Sequence, residues 1–132
     1  MQDFIRSARL GNVSDVNRFL DDGVRADSQD EYGCTALIEA SSYGREAVCE
    51  LLITRGCHVD MQDINGRTAL IAASYYGHIP IVISLIEAGC DYSLRSKAGK
   101  SAMDWLREKH PDKVEQVQVS RSPTAVVTHS LI

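Results

Sequence analysis

The chain has 132 residues, a formal net charge of −4 and 44% hydrophobic residues, a composition typical of one globular domain. The acidic charge argues against a general nucleic-acid-binding protein, which needs a basic surface to neutralise phosphates. No apolar run approaches the roughly 18 residues of a membrane span, and no apolar stretch of a secretory signal stands at the start. We therefore expect a cytoplasmic or nuclear protein without membrane insertion.

Glycine recurs in this sequence with a period of 33 residues. A repeat of this length is one supersecondary unit that cannot bury its apolar face alone, so neighbouring units must stack. Such stacking favours a binding surface shared by several units over a single catalytic pocket. Three series of glycines keep the period: Gly11, Gly44 and Gly77; Gly23, Gly56 and Gly89; Gly33, Gly66 and Gly99.

The first predicted unit, residues 1–29, contains two helical patterns. Segment 4–12 matches the first helix of the later units, and Val16, Phe19 and Leu20 follow with helical spacing. No turn precedes the first helix, so this unit is expected to open the array.

Two full units follow, at residues 30–62 and 63–95. Each is predicted to form a hairpin-like turn, a short helix, a tight turn and a longer helix. Thr35 and Thr68 stand at the start of the short helices, where a hydroxyl can accept a hydrogen bond from a free amide of the first turn.

Glycines and apolar spacing set the remaining boundaries in these two units. Gly44 and Gly77 are expected to end the short helices. The longer helices are predicted at Glu46–Thr54 and Ile79–Glu87, each with apolar residues at helical spacing.

The fourth unit, residues 96–118, begins like the others, with Ser101 at the register of the two threonines. It departs from the pattern at His110 and Pro111, where glycine and histidine are expected, and its second helix, to about Gln118, is polar. A polar outer face is typical of a terminal repeat. Residues 119–132 lose the helical spacing and are predicted to be a flexible tail.

Three motifs in this pattern resemble the ankyrin repeat family: Asp-x-x-Gly-x-Thr-Ala-Leu, Tyr-Tyr-Gly-His and Leu-Ile-x-x-Gly-Cys. The family's usual Thr-Pro-Leu-His is Thr-Ala-Leu-Ile here, twice. The resemblance implies an all-α solenoid of four helix-turn-helix repeats with hairpin-like loops, and a non-enzymatic role in binding another protein or peptide. It also implies that His78 is structural, since the family usually carries histidine there.

In this family the hairpin tips and first helices line a concave, partner-binding face. Carried over position by position, that face holds Glu31, Tyr32, Cys34, Ser42, Tyr43, Ile64, Asn65, Arg67, Tyr75, Tyr76, Lys97, Lys100, Glu108 and Lys109. Tyrosine and arginine are enriched in binding hot spots. The partner is accordingly expected to contact Glu31, Tyr32, Tyr43, Asn65, Arg67, Tyr75, Tyr76, Lys97 and Lys100.

Two interpretations stay open for one pair of residues on this face. Tyr43 and Tyr76 are as compatible with packing against the neighbouring repeat as with contact to a partner. Trp105 is expected in the core of the last unit. Charge also changes along the face, which would orient a partner of mixed or opposite polarity. It is acidic at Glu31 and Glu39 and basic at Arg67, Lys97 and Lys100.

Motifs of catalytic and metal sites are missing from the sequence. It has no nucleotide-binding loop, zinc-binding helix or nucleophile elbow, and its four histidines never share a helical face. No cofactor or metal is therefore expected. None of the four cysteines is in a Cys-x-x-Cys pair. Cys57 and Cys90, at equivalent positions of adjacent units, are interpreted as two small buried apolar side chains in preference to a disulfide or metal site.

The last residues suggest further functions. Ser130, Leu131 and Ile132 match the carboxyl-terminal ligand pattern of a PDZ domain, so tethering through the tail is one alternative. Another is a scaffolding or regulatory fragment of a larger multidomain protein. We expect a monomer, although the apolar tail leaves pairing between chains open.

Overall fold

The computed structural model describes residues 2–121, with side chains described for residues 3–117. These residues form eight α-helices and one short 3-10 helix, and they contain no β-strand. The α-helices are α1 (Gln2–Leu10), α2 (Val13–Asp21), α3 (Ala36–Ser42), α4 (Glu46–Thr54), α5 (Ala69–Tyr76), α6 (Ile79–Glu87), α7 (Ala102–Lys109) and α8 (Val114–Arg121), with the 3-10 helix at Pro111–Lys113 between the last two.

The helices form two layers. The first helices of the units, α1, α3, α5 and α7, pack side by side in one layer, and the second helices, α2, α4, α6 and α8, form the other. The bounds of α4 and α6 are those predicted from the sequence. Helix α8 ends at Arg121 instead of near Gln118, so it enters the segment predicted as tail. Its side chain at Val117 is fully buried, which ties the helix to the stack.

Hydroxyl caps begin three of the four first helices, as predicted. The Oγ1 atoms of Thr35 and Thr68 each accept a hydrogen bond of 3.1 Å from the backbone amide three residues later. Ser101 does the same at 3.3 Å, and the carboxylate of Asp104 accepts the Ser101 amide in return. This reciprocal pair is a capping box, and it orients α7 beneath the last hairpin loop.

Backbone hydrogen bonds join the hairpin loops to one another. The amide of Ile64 donates to the carbonyl of Tyr32 at 2.9 Å, and the amide of Lys97 donates to the carbonyl of Asn65 at 2.8 Å. These bonds align consecutive loops, so that corresponding side chains of neighbouring units form rows along one surface.

Small side chains allow the first helices to approach closely. Ala36 and Ala40 in α3 and Ala69 and Ala73 in α5 have no solvent exposure. Larger apolar residues fill the space between the layers, and those with less than 2% exposure include Phe4, Ile5, Ile38, Leu52, Ile71, Ile81, Leu85 and Leu106. None of the helices within residues 2–121 has both the length and the apolar character needed to cross a bilayer.

The cysteines within the described residues form no disulfide bond. Cys34, Cys49 and Cys90 are buried and Cys57 is half-buried. Burial raises the pKa of Cys34 and Cys57 to about 12 and that of Cys49 to about 11. These three thiols stay protonated near neutral pH and are poor nucleophiles.

Candidate functional site

Four tyrosines are exposed on the surface formed by the hairpin loops and first helices. Tyr32 and Tyr43 are 59% and 53% exposed, and Tyr75 and Tyr76 are 36% and 48% exposed. Tyr43 and Tyr76 are each about half exposed, so neither is fully buried against the adjacent unit, and contact with a partner stays a prediction.

Five of the predicted partner-binding residues line one groove of about 370 Å³ between the third and fourth units: Asn65, Arg67, Tyr75, Tyr76 and Lys97. Its lining also includes Ile71 and Trp105. We call this site the aromatic groove.

Edge-to-face contacts hold the rings of the aromatic groove in place. The centroids of Tyr75 and Trp105 are 5.1 Å apart with an interplanar angle of 67°, and those of Tyr75 and Tyr76 are 4.9 Å apart at 73°. Such arrangements are favourable beyond the area they bury. The groove is therefore already shaped before a partner arrives.

Trp105 lines this groove and is half-buried against the edge of the core, so the prediction of a core position holds only in part. The core position of α7 is taken by Leu106, which is fully buried, so the helical phase turns Trp105 toward the groove, where it is half-buried. The repeat register alone does not distinguish core from groove here: Trp105 stands 33 and 66 residues after Ala72, which is buried, and Glu39, which is half-buried.

Lysines surround the rings. The Nζ atom of Lys100 lies 4.5 Å from the Trp105 ring centroid and 2.7 Å from a carboxylate oxygen of Glu108. The Nζ atom of Lys109 lies 5.2 Å from the Tyr75 ring centroid. Lys97 is exposed in the loop at the rim.

Arg67 has a structural partner in addition to its place in the groove. Its Nε donates to Asp63 at 2.8 Å, and the other oxygen of this buried carboxylate accepts the backbone amides of Asn65 and Arg67 at 2.9 Å each. Burial opposes the charge of Arg67, but the hydrogen bond and charge of Asp63 raise its pKa above the ordinary value. Replacing Arg67 would therefore disturb the loop as well as the surface.

The other four residues predicted to contact a partner are not part of the aromatic groove's lining. Glu31 and Tyr32 line a second depression of about 520 Å³, which we call the acidic pocket; its other charged lining residues are Asp3, Arg6, Arg9, Asp30 and Glu39. Tyr43 lines neither site. Lys100 reaches the aromatic groove through Trp105.

Cys34 was expected on this face but is only 5% exposed. Its thiol packs inward and lies 3.6 Å from a carboxylate oxygen of Glu39. The position of Cys34 explains the difference. It directly precedes Thr35, the N-cap of α3, and so lies at the base of the hairpin turn next to the helix. The tail motif Ser130, Leu131 and Ile132 lies outside the described residues, so tethering through it stays a prediction from sequence.

Histidines support the helix ends next to this surface. The Nε2 atom of His78 lies 3.1 Å from the carbonyl oxygen of Ser42, and that of His110 lies 2.9 Å from the carbonyl oxygen of Tyr75. His110 thus takes in the last unit the part that His78 takes in the third, although the sequence pattern breaks there. Among residues 2–121, no three histidine, cysteine, aspartate or glutamate side chains are grouped as a metal site requires.

Comparison with protein families matches residues 4–96 to the model for ankyrin repeats, with three copies. A search of the curated proteins found no match. The matched segment covers the first three units, and the fourth unit continues the same two layers in the structure. Ankyrin repeats are generally modules for protein–protein interaction.

Proposed function

Because the chain belongs to the ankyrin repeat family, we propose that it is a non-enzymatic interaction module that holds a partner segment in the aromatic groove. The observation that carries this proposal is the exposure of Tyr75 and Tyr76 in a groove that Trp105 also lines. Exposed aromatic clusters on a soluble protein mark interaction sites, because water contact with such rings is costly unless a partner covers them.

The rings suit a binding hot spot for two reasons. Aromatic side chains bury a large area while ordering few torsions on binding. Tyr75 is already held between Trp105 and Tyr76, so little further ordering is needed. Preorganisation of this kind improves affinity by reducing the entropy lost on association.

Charge along the surface supports an oriented partner. The acidic pocket holds Glu31 and Glu39 at one end, and Lys97 and Lys109 flank the aromatic groove at the other. A segment bound along both sites is held in one direction, because the reverse direction brings like charges together.

The groove favours binding over catalysis. Its described lining includes Ser96 but neither a histidine nor a carboxylate that would act as a base beside that hydroxyl. We also propose an adaptor role in the cytoplasm or nucleus as a monomer. A reducing compartment is supported by the cysteines of the described residues, which form no disulfide bond: Cys34, Cys49, Cys57 and Cys90.

The test is affinity capture from native lysate with the full chain and with the double variant Tyr75→Ala/Tyr76→Ala. Hot-spot truncation costs about 2 kcal/mol or more, roughly a thirtyfold loss of affinity. We expect a partner that the variant no longer captures, with unchanged helical circular dichroism.

The matched control is Leu10→Ala/Tyr92→Ala, which also removes two exposed hydrophobic side chains but lies outside the groove. It should retain the partner. Equal capture by all three proteins would refute the assignment of the groove as the binding site.

A further inference from the structure

The aromatic groove carries more positive than negative charge. Arg67 and Lys100 are paired with Asp63 and Glu108, at 2.8 and 2.7 Å. Lys97 and Lys109 flank the same groove, and among the described residues neither makes an ion pair within 4.0 Å. Two cations are thus available to an incoming anionic group.

The lining of the same groove is also partly apolar. The lining combines Ile71, Tyr75 and Trp105 with these cations at the rim. A volume of about 370 Å³ lies near the lower end for ligand pockets, which suits an apolar side chain with its flanking backbone. An apolar side chain on Tyr75 and Trp105 would bring its neighbouring residues toward Lys97 and Lys109.

The acidic pocket, in contrast to the aromatic groove, disfavours negatively charged groups. Four carboxylates line it, against two arginines, and Arg9 is already 3.4 Å from Glu39. An acidic segment is repelled there, so the charge pattern directs such a segment to the aromatic groove alone.

We propose that the aromatic groove recognises a short linear peptide in which acidic residues flank an aromatic or aliphatic side chain. The proposal rests on the protein-binding function proposed above and specifies its partner. The apolar side chain contacts Tyr75 and Trp105, and the flanking carboxylates pair with Lys97 and Lys109.

Fluorescence titration tests this directly, because Trp105 is the single tryptophan of the chain and lines the groove. The probe is a synthetic peptide with a leucine–phenylalanine pair flanked on both sides by glutamates. Its two comparison peptides carry lysines in place of the glutamates, or serines in place of the apolar pair. We expect only the first peptide to change the Trp105 emission at micromolar concentration, and binding to weaken as salt is added.

Charge-reversal variants locate the contact. Lys97→Glu should weaken binding of the acidic peptide by about tenfold, equivalent to about 1.4 kcal/mol. Arg25→Glu makes the same change in net charge at an exposed residue outside the groove and should leave binding within about twofold.

Several outcomes would overturn the proposal. Equal binding of the lysine and glutamate peptides, or an equal loss with Arg25→Glu, would show that the charged groups of the groove do not select the ligand. Light scattering that finds a dimer broken by Lys97→Glu would assign the groove to a second copy of the chain. If the acidic peptide fails while Tyr75→Ala/Tyr76→Ala still abolishes capture, the interaction function stands and only this ligand class is wrong.

Discussion

Two glycines of the hairpin loops are required by both backbone conformation and space. Gly33 and Gly66 have φ values of 73° and 74°, in the left-handed region that side chains disfavour. A Cβ atom at Gly66 would also lie 3.1 Å from the backbone nitrogen of Lys97 in the next loop, the atom that donates to the carbonyl oxygen of Asn65. These positions therefore control how closely consecutive loops approach.

The Gly66→Ala variant should destabilise the protein by more than the roughly 1–2 kcal/mol that the left-handed conformation alone costs. Gly56→Ala is the matched control, since its φ is 81° but no atom lies within 4 Å of the added methyl group. Urea denaturation measures the difference. Equal free energies of unfolding for the two variants would contradict the importance of the close approach.

For single residues, the sequence predicted the face on which a side chain lies but not the partner that it contacts. Asn65, Tyr75, Tyr76 and Lys97 could be assigned to one face from the repeat register, and they do line one groove. That Arg67 is tied to Asp63 could not be read from spacing alone, because it depends on the direction that each side chain takes in the folded loop.

Helix ends connect one unit to the next. The carbonyl groups at the end of α3 and α5 have no partner within the helix, and histidines of the following units supply one for each. The Nε2 atom of His78 lies 3.1 Å from the carbonyl oxygen of Ser42, and that of His110 lies 2.9 Å from the carbonyl oxygen of Tyr75. The second contact involves Tyr75, which also lines the aromatic groove.

The His110→Ala variant should lower the free energy of unfolding by about 0.5–1.5 kcal/mol, the net value of one such hydrogen bond. His58→Ala is a suitable control, because His58 is exposed and its hydrogen bond to the Asp27 carboxylate is donated by the backbone amide. Guanidinium denaturation with both variants gives the comparison. If the two lose the same stability, the bond to Tyr75 does not connect the units.

At the scale of the whole molecule, each unit contacts mainly its neighbours. Helix α3 packs between α1 and α5, and α5 packs between α3 and α7. In arrays of this kind, stability is the sum of repeat and interface energies, and nearest neighbours transmit a change along the stack.

A substitution in the first unit should therefore affect the last one. Ile5→Ala in α1, where the side chain is 1% exposed, should cost about 2–5 kcal/mol. We expect the unfolding transition followed by Trp105 fluorescence to shift to lower denaturant together with that followed by circular dichroism.

Leu10→Ala, at a residue that is 60% exposed in the same helix, should change neither transition appreciably. If Ile5→Ala shifts the circular dichroism but leaves the Trp105 transition in place, the units unfold independently.

The sequence by itself determined the period, the order of the helices, their hydroxyl caps and the bounds of α4 and α6. These features are local: they follow from glycine conformations, capping groups and apolar spacing within about a turn or two of each helix. The same register placed Tyr75, Tyr76 and Asn65 on one face, which is why most of the groove could be anticipated.

Only the tertiary structure decided that Trp105 belongs to the groove, that Cys34 is buried and that His110 replaces the missing histidine of the pattern. Each depends on distances between residues far apart in the chain, such as the 35 residues that separate His110 from Tyr75. Spacing along one chain does not encode these distances. The packing of neighbouring helices sets them.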